Sequence, residues 1–294
     1  MVILGNSLYA SSVGSIKNDN VYMKYNTALT IAGSDPSGGA GLQADLKTFS
    51  ALGVYGSTAV VAVVDENTLG VYGVHAIPED FVSGQIRSVL NDIGADAVKI
   101  GMLHSSSLIR TVLSTLQEFQ SVNNIVLDPV MVATSGDPLL EPDAVETLRT
   151  ELIPYCRVIT PNLPEASLLL GKTVCHQDQL EDAAKELSCL SGGNVSVMLK
   201  AGHLEGTDTL VDIFYNAEKD TILKLPSPKL KTVNTHGTGC TLSSAIAAYL
   251  AKGCDLEMAA KKGKEYIAAA VEAGMEYEIG HGHGPVHHFF QWWK

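Results

Sequence analysis

Six short runs recur along the chain: "ALTIAG", "STAVVAVV", "DAVKIGML", "NIVLDPVMV", "RVITP" and "VSVMLKAG". Each is rich in β-formers and nearly continuous in apolar residues. A strand with one wet face alternates apolar and polar side chains, whereas a strand buried on both faces reads as an unbroken run. Between the runs lie helical segments at residues 41–52, 78–92, 105–120, 142–152 and 178–190. Strand and helix alternating in this way predict a mostly parallel central α/β sheet with helices on both faces, joined by right-handed crossovers. "DTLVDIFYN" and "TILKLP", separated by "AEKD", predict a hairpin extending one edge. Two long helices, from about Cys240 and about Asp255, close the chain.

No internal repeat, low-complexity tract or linker interrupts residues 27–294, which are expected to form one domain. Residues 1–26 are polar-rich after a very short apolar start and read as a flexible extension or an added edge segment. A chain of 294 residues, 46% hydrophobic, can bury a large core. Its formal net charge of −12 argues against nucleic acid or an anionic membrane as the main partner. An anionic substrate then needs local N–H donors and a few placed cations. Five scattered cysteines, an odd number with no CxxC pair, fit reduced thiols and a cytoplasmic protein better than a disulfide framework. No apolar run approaches the ~20 residues that span a bilayer.

Ligands of open α/β sheets bind at the carboxyl ends of the strands. Five polar clusters fall there. "AGSDPSGGAGLQAD" follows the first run, with glycines suited to a tight turn and Asp45 in the helix beyond. "LDPVMVATSGD" carries Asp128, "TPNLPEA" carries Asn162 and Glu165, and "KAGH" carries Lys200. The fifth, "NTHGTGCT", sets Gly237, Gly239 and Cys240 at the start of a helix, where exposed N–H groups and the dipole would hold an anion. A cysteine there is expected to be a dipole-stabilised thiolate.

Two other features carry less. "GKT" at Gly171–Thr173 lacks the preceding glycine of a P-loop, because position 166 is Ala166, and no strand leads into it. The tail "GHGHGPVHH" holds His281, His283, His287 and His288 without carboxylates or cysteines, and is expected to be structural or solvent-exposed.

"AGSDPSGGAGLQADLKTFSALG", "KIGML", "LDPVMVATSGD", "ITPNLPEA" and "NTHGTGCTLSSAIAA" together resemble, nearly word for word, the hydroxymethylpyrimidine/phosphomethylpyrimidine kinases of thiamine biosynthesis, in the ribokinase-like superfamily. The resemblance runs in order from Thr27 to "GPVHHF". It implies an ATP- and Mg²⁺-dependent kinase acting on the hydroxymethyl group of the thiamine pyrimidine and then on the monophosphate. It further implies a homodimer. By position it implies that Gly237, Thr238 and Gly239 stabilise the moving phosphoryl group while Cys240 contacts the substrate hydroxyl. Gly33, Asp45 and Val130 would line the pyrimidine pocket, Lys200 and Asn234 would contact nucleotide or phosphate, and Asp128, Asn162 and Glu165 would surround magnesium.

The chain departs from the family pattern at three places. Glu66 stands in "DENT" where the family has the glutamine of "QNT", and an ionised glutamate accepts hydrogen bonds but cannot donate. "KAGH" replaces "KGGH", and Thr134 stands where many members have lysine. A pyridoxal kinase on the same scaffold is the alternative reading. A catalytically silent binding protein is a third, and it would predict loss of Asp128, Glu165 or the glycine turn.

Overall fold

The computed structural model describes residues 23–131, 140–141, 143–192, 195–204 and 206–293. Along these, the strands are β1 (Thr27–Gly33), β2 (Tyr55–Asn67), β3 (Gly70–Ala76), β4 (Ala97–Ile100), β5 (Ile125–Leu127), β6 (Val158–Ile159), β7 (Ser196–Leu199), β8 (Thr209–Asn216) and β9 (Thr221–Pro228). The helices are α1 (Gly41–Ala51), α2 (Glu79–Asp92), α3 (Ser106–Gln117), α4 (Ala144–Thr147), α5 (Leu163–Leu170), α6 (Leu180–Cys189), α7 (Thr238–Ala251) and α8 (Leu256–Gly274). The strands form one sheet in the order β3-β2-β1-β4-β5-β6-β7-β8-β9.

The apolar runs occupy the parallel centre. β2, β1, β4, β5, β6 and β7 pair in parallel, and β4, β5, β6 and β7 are buried along their whole length. The β8–β9 hairpin adds antiparallel to β7, as its sequence predicts, and Asp220 in the turn takes a left-handed φ of 51°. Two cores lie on opposite faces of the sheet. On one, Phe49 of α1 joins the buried residues of α7 and α8; on the other, residues of α2, α3, α5 and α6 pack. Gly263 lets α8 come close to α7, since a β-carbon there would sit 2.8 Å from Ile246 Cγ1.

Three elements differ from expectation. β3 is an antiparallel edge strand on the far end of β2 and is exposed from Tyr72 to Ala76. It buries too little to write an apolar run, so the run pattern misses it. The helix expected over 142–152 is the four-residue α4, which continues as a wider π turn through Leu148–Leu152 and then a 3₁₀ turn at Ile153–Tyr155, with Pro154 where the regular bonding ends. α5 is a full helix. Thr134 and residues 1–22 of the expected extension lie outside the described residues.

Gly171 of the "GKT" triplet ends α5 in the left-handed conformation, with φ 65°, so it is a helix stop and not a phosphate loop. All five cysteines are free. Among the described residues no helix is long and apolar enough to cross a membrane.

Candidate active site

A cavity of about 980 Å³ opens at the carboxyl ends of the parallel strands. Its lining includes Gly33 of β1 and Glu66 of β2 toward one end of the sheet, and Ser227 of β9 and Lys229 just beyond it toward the other. Two helix N-termini, of α1 and α7, point into its middle, and neither has a side-chain cap. By contrast α3 and α8 are capped by Ser105 and Asp255. At α7 the cap position is Gly237, with φ 80°, and the backbone N–H groups of Gly239 and Cys240 have no protein partner among the described residues. Unpartnered N–H groups at the positive end of a buried helix form an anion site.

The two turns are held together by Asp35. Its carboxylate accepts from the N–H groups of Ser37, Gly39 and Ala40 at 2.7, 3.0 and 2.6 Å, and from Ser37 Oγ. Across the cavity wall it meets His236 Nε2 at 2.9 Å, one residue before Gly237. His236 Nε2 also lies 3.5 Å from Glu66 Oε1. Burial alone would lower the His236 pKa, but its bonds to Asp35 and Glu66 push it up to about 9, so the ring is an imidazolium at neutral pH. Burial likewise works against the Asp35 carboxylate, yet the bonds from His236, Ser37 and Ala40 hold it well below the usual carboxylate range. Asp35, Glu66 and His236 lie close enough to share a metal ion. Asp35 Oδ2, however, already accepts from Gly39, Ala40, Ser37 and His236, so the cluster holds a proton instead.

A second charged group lies on the other side of α7. Lys200 Nζ is 3.0 Å from Asp128 Oδ1 and 3.8 Å from Glu165 Oε2. Thr160 Oγ1 also donates to Asp128, at 3.0 Å. Burial would lower the Lys200 pKa, but the two carboxylates raise it. Burial pushes Glu165 up to about 7, with Asp128 adding to the rise and Lys200 opposing it. Asn162 and Glu165 make a capping box for α5: Asn162 Oδ1 accepts from Glu165 N at 2.8 Å, and Glu165 Oε2 from Asn162 N at 2.7 Å. Gly239 presses on this group, since a β-carbon there would be 3.1 Å from Asp128 Oδ2 and 3.3 Å from Lys200 Nζ.

At the cavity floor, Lys99 pairs with Asp45 below it, both side chains fully buried and Nζ being 2.9 and 2.8 Å from the two carboxylate oxygens. Thr30 Oγ1 and Ser244 Oγ each donate to Asp45 at 2.6 Å. Burial would lower the Lys99 pKa, but Asp45, with Cys240 and Asp128 beyond it, holds it above the usual lysine range. Cys240 opens partly on the cavity, yet burial pushes its thiol up to about 12 against the pull of Lys99 and the Gly41 N–H. The expected thiolate is therefore a neutral thiol, because desolvation outweighs the helix dipole here.

Most of the residues singled out from the sequence meet at this cavity. Gly33, Glu66, Asp128, Val130, Asn162, Glu165, Lys200, Gly237, Thr238, Gly239 and Cys240 all line it. Two do not. Asp45 is sealed below the floor with its oxygens taken by Lys99, Thr30 and Ser244, so it has no lone pair facing the cavity. Asn234 turns its amide away, donating to the carbonyls of Gly274 and Tyr277 at the end of α8.

The sequence pattern of the family described as Phosphomethylpyrimidine kinase matches residues 35–287. The chain belongs to that family. The hydroxymethylpyrimidine/phosphomethylpyrimidine kinase of Rhizobium meliloti (strain 1021) is 48% identical to it over 267 residues, covering 91% of this chain and 98% of the relative. The Escherichia coli (strain K12) protein of the same name is 46% identical over 271 residues, covering 92% and 100%. The crystal structure of an ADP complex of Bacillus subtilis pyridoxal kinase superposes with a TM-score of 0.81 at 39% identity, covering 90% of this chain and 98% of that one. This phosphomethylpyrimidine kinase family member is thus a phosphotransferase with the ribokinase-like fold.

The sequence reading of the kinase missed three residues at or next to the site. Asp35 and His236 sit inside the quoted glycine motifs, but nothing in their local spacing says that they meet across 201 positions. Lys99 did leave a signal. A lysine inside the apolar run "DAVKIGML" must be paired if the run is buried on both faces, and Asp45 is that partner.

Proposed function

We propose that this kinase transfers the γ-phosphoryl group of ATP to the hydroxymethyl oxygen of hydroxymethylpyrimidine, and then phosphorylates the resulting monophosphate to the diphosphate in thiamine biosynthesis. The observation that carries the reading is the uncapped N-terminus of α7 set between two charged groups inside one cavity. The Asp35–His236–Glu66 group stands on one side and the Asp128–Lys200–Glu165 group on the other. The curated relatives carry both pyrimidine kinase activities in their names.

Phosphoryl transfer asks for in-line positioning and for stabilisation of charge on the moving group more than for covalent chemistry. The alcohol would lie at the Gly33–Glu66 end and the nucleotide at the Ser227–Lys229 end, so that the γ-phosphoryl meets the N–H groups of Gly239 and Cys240. Lys200 would neutralise charge on the transferred group. The Cys240 thiol, neutral at working pH, would donate to or pack on the substrate oxygen rather than remove its proton. Glu66 would accept from the exocyclic amino group.

Asp128 and Glu165 supply hard oxygen donors with the Asn162 amide nearby, which fits Mg²⁺ held largely through its own waters. These residues would hold the ion, whose chemistry there would be to offset the negative charge of the phosphates. Glu165, pushed to about 7, would ionise fully when a cation arrives. The Bacillus subtilis neighbour was solved as an ADP complex, which supports a nucleotide in this cavity.

The kinase would work in the cytoplasm, with residues 27–294 as one domain, and as a homodimer. Tyr72 and Val74 are exposed apolar residues at alternate positions of the antiparallel edge strand β3, a surface that a second copy would cover.

Steady-state assays with ATP and Mg²⁺ that compare hydroxymethylpyrimidine with pyridoxal test the reading. A higher kcat/KM for the pyrimidine is expected, and a higher one for pyridoxal would overturn it. Sedimentation of the wild type and Tyr72→Arg tests the dimer.

A further inference from the structure

The Gly-His-Gly-His-Gly segment near the C-terminus is built into the site. From His281 to His288 burial alternates, with His281 and His283 exposed while Gly284, Val286 and His288 are buried. That is the period of an extended chain lying on a surface. The glycines are the residues that face inward. A β-carbon on Gly282 would lie 2.0 Å from the Thr68 carbonyl oxygen, and one on Gly280 2.3 Å from Thr68 Oγ1. On Gly284 it would lie 2.1 Å from Asn234 Oδ1.

The segment ties together two parts of the cavity wall that are far apart in sequence. On one side Thr68 Oγ1 accepts from the N–H groups of His281 and Gly282, both at 3.2 Å, and the Thr68 carbonyl accepts from His283 N at 2.8 Å. On the other side His236 N donates to the Gly284 carbonyl at 3.0 Å and Val286 N to the His236 carbonyl at 3.4 Å. Thr68 stands two residues beyond Glu66, and His236 is the residue Glu66 faces. Both walls thus hang from one strap.

We propose that residues 280–286 are a positioning strap and that Thr68 and Gly282, which do not line the cavity, set substrate affinity by holding Glu66 and His236 in register. The proposal rests on the reading that the Glu66 end takes the alcohol substrate. The strap leaves the Ser227–Lys229 end untouched, so its loss acts on one substrate only.

The test uses the full chain with Gly282→Ala, Thr68→Val and Thr68→Ser. Gly253→Ala is the control, since Gly253 has φ 80° but no atom within 4 Å of its missing β-carbon and so reports backbone strain alone. Gly282→Ala and Thr68→Val are expected to raise KM for hydroxymethylpyrimidine roughly tenfold, with kcat within about threefold and KM for ATP unchanged. Thr68→Ser keeps the hydroxyl and should restore the wild-type KM; Gly253→Ala should leave both KM values alone. Amide hydrogen exchange, read without substrate, should quicken at residues 66–70 and 234–237 in Gly282→Ala. Unchanged exchange there would overturn the strap, as would an equal rise of both KM values. A wild type that does not phosphorylate the pyrimidine would instead overturn the functional reading and leave the exchange arm to decide the strap.

Discussion

Gly237 meets the Gly39 carbonyl so closely that a β-carbon on Gly237 would lie 1.8 Å from that oxygen. The two glycine turns can share one cavity wall only because this β-carbon is missing. Gly237 also holds φ 80°, a conformation costly for any other residue. Gly239 lies within α7, and its constraint is contact with Asp128 and Lys200. Gly237→Ala should therefore lower kcat by on the order of 10²-fold or more, the scale of a misplaced anion-hole donor. Gly239→Val should be similarly damaging through the crowding of Lys200. Wild-type turnover in Gly237→Ala would show that the turn does not hold the phosphoryl group.

If Cys240 acts at the alcohol end as proposed, Cys240→Ala should reduce kcat at least tenfold while ATP affinity stays within about twofold. With the thiol pushed up to about 12, iodoacetamide should label Cys240 slowly at pH 7 and faster only in strong alkali. Rapid labelling at neutral pH would mean that the helix dipole has won over burial.

Two histidines should set opposite slopes in the stability profile. His236 has its pKa raised from 6.5 to about 9 in the folded chain, so its contribution is complete below 6.5 and is lost as pH rises through 9. His288 is buried beside Thr241 and is lowered from 6.5 to about 3, mainly by burial. Between those values the unfolded chain binds a proton that the folded chain does not, so stability falls as pH drops from 6.5 towards 3. Tm measured by calorimetry should peak near neutral pH. His236→Gln should flatten the alkaline limb and leave the acid limb, and a variant that keeps both limbs would contradict the Asp35–His236–Glu66 bridge.

Glu66→Gln restores a donor but weakens the tie to the His236 imidazolium. Activity on the pyrimidine should be retained or improved, and the folded pKa of His236, followed by NMR, should move down from about 9. Glu66→Ala should raise KM for the pyrimidine about tenfold, the worth of one net hydrogen bond. Pyrimidine kinetics unchanged in the alanine variant would remove Glu66 from substrate binding.

The sequence alone determined the parallel centre of the sheet, its edge hairpin at β8–β9, the two closing helices and the rim on which Asp128, Glu165, Lys200 and the α7 turn gather. These follow from periodicity and from glycine chemistry, both of which are local. Tertiary structure alone decided which polar groups face the cavity. Asp45 and Asn234 read as site residues, but long-range partners claimed their hydrogen-bonding groups, Lys99 and Ser244 for the first and the end of α8 for the second. Asp35, His236, Thr68 and Gly282 became structurally important only when distant turns met. The Cys240 thiol was settled the same way, since a helix N-terminus is visible in sequence whereas the depth of burial that overrides it is not.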